Sequence, residues 1–536
     1  MSKLYEMIAI VLVSLLCSGS AEVVLEADSG SDVITRDESW LEESASNLII
    51  GEEEMKELQS WHEQYYSVNF KGEESEFLQI SGTHELENMQ QDCYPELRES
   101  LDLHSQTHGD YCRAIIQRAD KRVLSFLEET SEDNPYAKNG FRSEMGVYRG
   151  YSFDTETGKL LTLADVVTDT DRLSLLLAEQ LKSRYLDMNF KENLAEQLKQ
   201  VWNDADSVAW SLGYQGINFY FYPAVLGIHE EEILQAAVTF PQAPELFADK
   251  YRQVPTAYSI ELRDSFPQLY DLDMNGVLDE IEVMYAYDND PEETRELDDV
   301  ITIGTPQRAT DVRVNGRTVK EEKFNNIYDN GNSRIYLLHT AEGKNYIFAY
   351  DRSMYDCIGR YCVYDIAADQ ITYLGRDGIY LDYNRITDLE AICVESYGDP
   401  IYSEFLEITT YVSLKKDMSP GNVSLGKGEN AVYYYENPEF FKILTPLTVT
   451  KVDSYSGEVM KDVIELPADS FVVALRTNRR SWCDFITRDG NVYRLTFNPP
   501  AKGDYDYTYE GKNLSEGCLH YMNHDFAQLK ADWWVW

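Results

Sequence analysis

Basic residues are scarce in this chain. It holds 47 Lys and Arg against 94 Asp and Glu, a formal net charge of -47 over 536 residues. A polyanion of this strength repels phosphate backbones and anionic bilayers, which sets aside nucleic acid and anionic membranes as partners. Histidine is rarer, at 8 residues, and His62, His84, His229, His339, His520 and His524 form no cluster along the sequence. No Cys-x-x-Cys pair occurs, so no zinc ribbon is expected. Beyond Cys17 no apolar run is long enough to cross a bilayer. The common catalytic signatures are also missing: there is no Gly-x-Ser-x-Gly elbow, no His-Glu-x-x-His and no P-loop. With 94 acidic residues, carboxylate pairs occur everywhere, so no glycosidase dyad stands out.

The N-terminus reads as an export signal. Lys3 lies in a short polar start, an apolar run follows from Met7 to Cys17, and Gly19 and Ala21 fit cleavage after Ala21. Residues 1–21 are thus expected as a signal peptide, and the mature chain is expected to be secreted or held at the cell surface. A lipoprotein anchored at Cys17 is the alternative, although Leu16 precedes it where a small residue is wanted. Of 8 cysteines, seven remain once Cys17 is removed, an odd number that leaves at least one thiol unpaired. Cys357 with Cys362 could staple a hairpin, and Cys93 could reach Cys112. In an exported protein the acid surplus either maintains solubility or attracts cations, namely Ca²⁺, basic proteins or basic peptides.

Along the chain, residues 22–50 are acidic and Ser-rich and read as a disordered spacer. Residues 52–250 mix helix and strand signals, as an α+β module. Ile116, Ala119, Val123 and Leu127 are spaced as one face of a helix, Val147 to Phe153 reads as a strand, and Asp171 to Tyr185 reads as a helix. Strands are expected at Asn218–Tyr222 and Ile233–Phe240, before Pro241 and Pro244 break the chain. From Tyr258 onwards short β-rich runs alternate with Asn315-Gly316, Asn330-Gly331, Glu342-Gly343 and Asp489-Gly490, the pattern of antiparallel hairpins. A linker from Pro420-Gly421 to Gly428 divides this half into 258–424 and a barrel or sandwich at 427–536, whose Trp533-Trp534-x-Trp536 reads as edge packing.

One segment carries specific chemistry. Asp271-Leu-Asp273-Met-Asn275-Gly276-Val277-Leu278-Asp279-Glu-Ile-Glu282 fills every position of a twelve-residue calcium loop. Ca²⁺ takes six to eight oxygens. Asp271, Asp273 and Asn275 offer theirs at positions 1, 3 and 5, Val277 a backbone carbonyl at 7, Asp279 an oxygen at 9 and Glu282 both oxygens at 12. Gly276 permits the sharp turn and Leu278 pins the loop to the protein. Pro267 and the alternating Ile281, Val283 and Tyr285 argue for strand flanks instead of a helix–loop–helix hand.

Residues 153–250 resemble the C-terminal domain family named after the anti-sigma factor RsiV. The likeness rests on Phe153-Asp154, Gly158-Lys159-Leu160-Leu161-Thr162-Leu163-Ala164-Asp165-Val166, Phe219-Tyr220-Phe221-Tyr222-Pro223, Gly227 and Phe240-Pro241. It implies an extracellular α+β module that senses a ligand or sits at the cell wall, with lysozyme or a peptidoglycan-associated ligand as partner. Residues 60–150 would then resemble the companion domain of PdaC-type deacetylases. Tyr148-Arg149-Gly150 stands where the family often carries Gly-Gly-x-His, and Pro223-Ala224 where it carries an acid. His104-Ser105-Gln106-Thr107-His108 is similar to the His-Ser-x-x-His metal element of polysaccharide deacetylases, but no Thr-Phe-Asp-Asp precedes it. The expected protein is therefore an α+β module followed by antiparallel β-rich domains. It carries Ca²⁺ and acts as a non-enzymatic binding or sensing protein, with a wall-modifying hydrolase or deacetylase accessory role as the alternative.

Overall fold

The computed structural model describes residues 77–78, 97, 112–130, 147–202, 208–228, 233–263, 266–288, 295–297, 300–302, 307–320, 334–352, 359–379, 381, 385–397, 407–415, 418–426, 431–454, 457–487, 490–500 and 506–522. The chain divides after Glu52, and everything below belongs to the unit Glu53–Trp536. The expected signal peptide and spacer, His104 and His108, Cys93, Cys357, Asn330-Gly331 and the terminal tryptophans lie outside the described residues.

The first sheet is antiparallel: β1 (Cys112–Ala119), β2 (Val123–Thr130) and β3 (Val147–Asp154). The helix expected across Ile116, Ala119, Val123 and Leu127 is not formed, because these residues make the β1–β2 hairpin. Its turn is set by Asp120, whose carboxylate accepts from the amides of Arg122 and Val123 at 2.8 and 3.0 Å. Both faces of this strand are buried. Ile115 packs with Tyr148 and Tyr220, while Ile116 packs with Leu124 and Phe126 on the other side. A strand covered twice loses its period of two.

Three helices follow, α1 (Leu163–Val166), α2 (Thr170–Arg184) and α3 (Leu194–Val201). Asp169, not Asp171, caps α2 by accepting from the Arg172 amide at 2.9 Å. Leu173, Leu177 and Leu181 of α2 share a core with Phe219, Phe221 and Val238 of a second sheet, β4 (Val208–Leu212), β5 (Gly216–Phe221) and β6 (Leu234–Thr239). The two sheets meet closely at Gly150, where a Cβ would lie 1.8 Å from the Trp210 carbonyl oxygen. After Pro244 a short helix, α4 (Asp249–Arg252), leads into the β-rich part.

Antiparallel strands dominate from there on. A five-stranded sheet has the order β17 (Gln370–Ile379), β16 (Gly359–Ala367), β15 (Asn345–Arg352), β14 (Arg334–His339), β7 (Tyr258–Leu262). A four-stranded sheet has the order β13 (Arg317–Lys320), β12 (Gln307–Val314), β9 (Asp279–Asp288), β8 (Gln268–Tyr270), and β10 (Arg295–Leu297) pairs with β11 (Val300–Thr302). Ile260, Leu262, Ile335 and Ile347 of the first sheet pack on Ile281, Val283, Val312 and Val314 of the second. The far face of the five-stranded sheet is covered too, with Tyr336, Phe348 and Tyr361 against Ile386, Val423 and Leu425. Within residues 420–426, expected to open a linker, Val423 and Leu425 are therefore part of a core, while Pro420, Gly421, Asn422 and Ser424 are exposed. The Tyr361 hydroxyl donates to the Val423 carbonyl at 3.1 Å and accepts from the Leu425 amide at 3.2 Å.

The last large sheet runs β18 (Ile392–Tyr397), β19 (Glu407–Val412), β20 (Tyr433–Ile443), β23 (Phe471–Thr477), β24 (Trp482–Ile486), β25 (Val492–Thr496), β21 (Leu447–Val452), β22 (Val459–Leu466), with β28 (Leu519–Tyr521) beside β20 and a separate β26 (Thr508–Tyr509) and β27 (Lys512–Asn513) pair. Its first two strands precede residue 424, so this sheet runs across the expected 424/427 boundary. Among the described residues no helix is long and apolar enough to cross a membrane.

Candidate metal centre

The segment 271–278 is the connection between β8 and β9. Asp271 ends β8's extended course with its carboxylate turned back over the loop: it accepts from the Asn275 amide at 2.9 Å and the Gly276 amide at 2.8 Å. Asp273 accepts from the Asn275 amide at 3.2 Å and from its side-chain Nδ2 at 2.8 Å. The Asn275 Oδ1 accepts from the Val277 amide at 2.7 Å. Curling the chain this tightly requires the left-handed region at Met274 (φ 58) and Gly276 (φ 86), and glycine meets the second demand without a Cβ penalty. Asp279 opens β9 and accepts from the Leu272 amide at 3.0 Å.

These bonds bring three carboxylates together. One oxygen each from Asp271, Asp273 and Asp279 lies within 4.8 Å of the others, and among the described residues this is the only such group of three. Asp271 is 1% exposed and Asp279 5%, whereas Asp273 is open to solvent. Burial pushes the Asp271 carboxyl above its usual range and the charges of Asp273 and Asp279 add to the effect, although the Gly276 and Asn275 amides pull the other way. None of the three forms a salt bridge to a described Lys, Arg or His. The donor set suits a hard cation: ligand bonds of about 2.3–2.6 Å place oxygens on opposite sides of Ca²⁺ roughly 5 Å apart.

The loop is held by two other parts of the unit. Gln215, in the β4–β5 turn, donates to the Asp271 carbonyl at 2.7 Å and accepts from its amide at 2.9 Å. Asn345 of β15 donates to the Leu272 carbonyl at 2.7 Å and contacts His339 Nδ1 at 2.7 Å. His339 stacks on Tyr258 with ring centres 4.8 Å apart, and burial draws its pKa down. Leu278, expected to pin the loop, lines a narrow cavity with Ile217, Val238, Ile260 and Leu269, and the loop residue buried in the core is Leu272, which clusters with Ile260, Tyr270 and Ile281. Sequence reasoning missed Gln215, Asn345 and also Asn315, which donates to Asp279 at 2.6 Å while its own Oδ1 accepts from the Glu280 amide at 2.9 Å. The Asn315-Gly316 turn was visible in the sequence, but nothing there connects it with position 279.

One of the expected ligands stands elsewhere. Glu282 is on β9, where Ile281 and Val283 face the core, so its side chain takes the opposite face and pairs with Arg313 at 2.6 Å. The structure does not bring it to the three aspartates. Val277 is 66% exposed at the loop tip.

No family model, no curated protein and no solved structure matches the chain.

Proposed function

We propose that this is an exported, calcium-binding protein in which Asp271, Asp273 and Asp279 hold one Ca²⁺, and that the ion stiffens the joint between the α+β part and the β-rich part. The observation that carries this reading is the convergence of three carboxylate oxygens within 4.8 Å, two of them from buried residues. Crowded, partly desolvated carboxylates repel one another until a cation joins them. Asn275 and the Val277 carbonyl are the further donors the loop pattern provides. Because Gln215 and Asn345 hold the backbone of Asp271 and Leu272, ordering the loop tightens both contacts.

Calorimetry on the full chain tests it. One Ca²⁺ per chain is expected, with a dissociation constant on the order of 10⁻⁴–10⁻³ M, the regime of extracellular modules. Asp273→Ala and Asp279→Asn should each weaken binding at least about tenfold. Absence of binding at millimolar Ca²⁺, or unchanged binding by both variants, would sink the proposal.

The role we assign beyond calcium is non-enzymatic binding of a cationic or wall-associated ligand at the cell surface or in the medium. A net charge of -47 supports attraction of basic proteins such as lysozyme. Attraction by charge alone should fade by a few hundred millimolar salt, whereas a 1:1 complex that persists there and is lost on deleting residues 153–250 would support specific recognition by the RsiV-like segment.

A further inference from the structure

Strand β22 is the free edge of the largest sheet. It pairs with β21 alone among the described strands, and seven consecutive residues, Val459 to Glu465, are exposed. An edge strand normally carries charges at its apolar positions so that it does not template another chain. This one instead exposes Val459 and Val463 at 60% each, with Met460 at 39% and Ile464 at 37%. Lys461 and Asp462 lie between them and Glu465 follows, and none of the three enters an ion pair with a described residue.

The order of those residues is self-complementary. In an antiparallel pair related by a two-fold axis through Val463, Val463 faces Val463 of the second copy. Lys461 faces Glu465 on both sides of the axis, Met460 faces Leu466, and Asp462 faces Ile464 on the other face of the sheet. Lys461, Val463 and Glu465 point to one face of the joined sheet, so the two ion pairs flank the valine contact. Neighbouring registers lose the opposite-charge pairs: an axis through Asp462 opposes two aspartates, one through Lys461 opposes two lysines, and one through Ile464 sets Lys461 against Pro467 and Val463 against Glu465. Pro467, which has no amide hydrogen, ends the pairing at Leu466.

We infer that β22 is a homodimerisation edge, joining two copies of this chain into one continuous antiparallel sheet with Lys461 opposite Glu465. The contact is one short strand per copy, so it falls at the small end of interface sizes, and a dissociation constant on the order of 10⁻⁵–10⁻⁴ M is expected.

Sedimentation equilibrium on the full chain at about 0.15 M salt, where the repulsion between two acidic bodies is largely screened, is the test. The unaltered chain should show a monomer–dimer equilibrium. Lys461→Glu and Glu465→Lys each convert both facing pairs into like charges, and each should weaken dimerisation about tenfold. An equimolar mixture of the two variants restores opposite charges across the axis, so it should regain the original affinity as a heterodimer. That recovery also shows that both variants are folded. A chain that stays monomeric at about ten times the upper expected constant overturns the inference. A dimer indifferent to both variants, or a mixture that fails to recover, overturns it equally, because the pairing then lies on another surface or in another register.

Discussion

Replacing Glu261 with Gln should destabilise the protein by about 3–5 kcal/mol, the range seen when one partner of a buried ion pair is removed. Glu261 lies on β7 with its side chain fully buried, and Arg334 and Arg385 are 3% and 1% exposed. Its carboxylate accepts from Arg334 at 3.2 Å, from Arg385 and, at 3.1 Å, from the Ile116 amide on β1. Gln117 of the same strand donates to the Glu261 carbonyl at 3.0 Å, and Arg385 donates to the Ala114 carbonyl at 2.8 Å. One side chain thus fastens β1 to β7, β14 and the segment near residue 385. A glutamine keeps the shape but takes the shared negative charge from two buried guanidinium groups and turns an amide N–H₂ towards one of them. Urea unfolding followed by tryptophan fluorescence would measure the loss from the shift in midpoint at unchanged slope. A second variant sharpens the argument: Glu261→Leu combined with Arg334→Met and Arg385→Met removes every charge and should be less damaging than Glu261→Gln alone. A loss below about 1 kcal/mol for the single change, or a triple variant worse than the single one, would refute the reasoning.

Three further outcomes are expected. Asp165, whose carboxylate accepts from the Thr162 amide and hydroxyl at 2.8 and 2.7 Å and from Lys159 at 2.6 Å, is held down from 3.8 to about 2, chiefly by the Lys159 hydrogen bond. A lowered folded-state value means that its contribution is present above the ordinary carboxyl range and is lost as the pH falls towards 2. Asp165→Ala should therefore cost about 1 kcal/mol near neutral pH and nothing at the acid end, read from melting curves across pH. Tyr361→Phe strands the Val423 carbonyl and the Leu425 amide in a core and should cost roughly 2 kcal/mol in the same denaturant assay; an unchanged midpoint would show that residues 420–426 do not depend on that hydroxyl. Glu282→Gln should lower stability slightly through its lost pairing with Arg313 and leave Ca²⁺ binding within about threefold, so a loss of binding comparable to that of Asp273→Ala would mean that the loop rearranges around the ion.

How far the sequence can be read depends on whether a local rule decides the outcome. Turn chemistry is local, and it was legible: Asn315 at φ 48 and Gly316 at φ 76 close the β12–β13 hairpin that the dipeptide predicts. The acidic spacing of the 271–279 segment is local as well, and one carboxylate oxygen each of Asp271, Asp273 and Asp279 lies within 4.8 Å of the others. Periodicity fails where tertiary packing covers both faces, as at Ile115 and Ile116, and a helix spacing then arises by coincidence from two strands and a turn. A Pro-Gly pair marks a bend without telling whether the bend is solvated, and Tyr361 decides that question from sixty residues away.

Glu282 combines both situations. The twelve-residue pattern assumes that the chain after position 9 continues as a helix, which would carry position 12 back towards the ion. Here Asp279 already pairs with Tyr270 as a strand residue, and a strand sends successive side chains to opposite faces. Asp279, Ile281 and Val283 share one face, so Glu282 must take the other, where Arg313 of β12 lies opposite it in the ladder. The alternation of Ile281, Val283 and Tyr285, visible in the sequence, already contained this consequence. A loop pattern and the period of the element that follows it have to be read together, because the element fixes which of the loop's last residues can reach the metal.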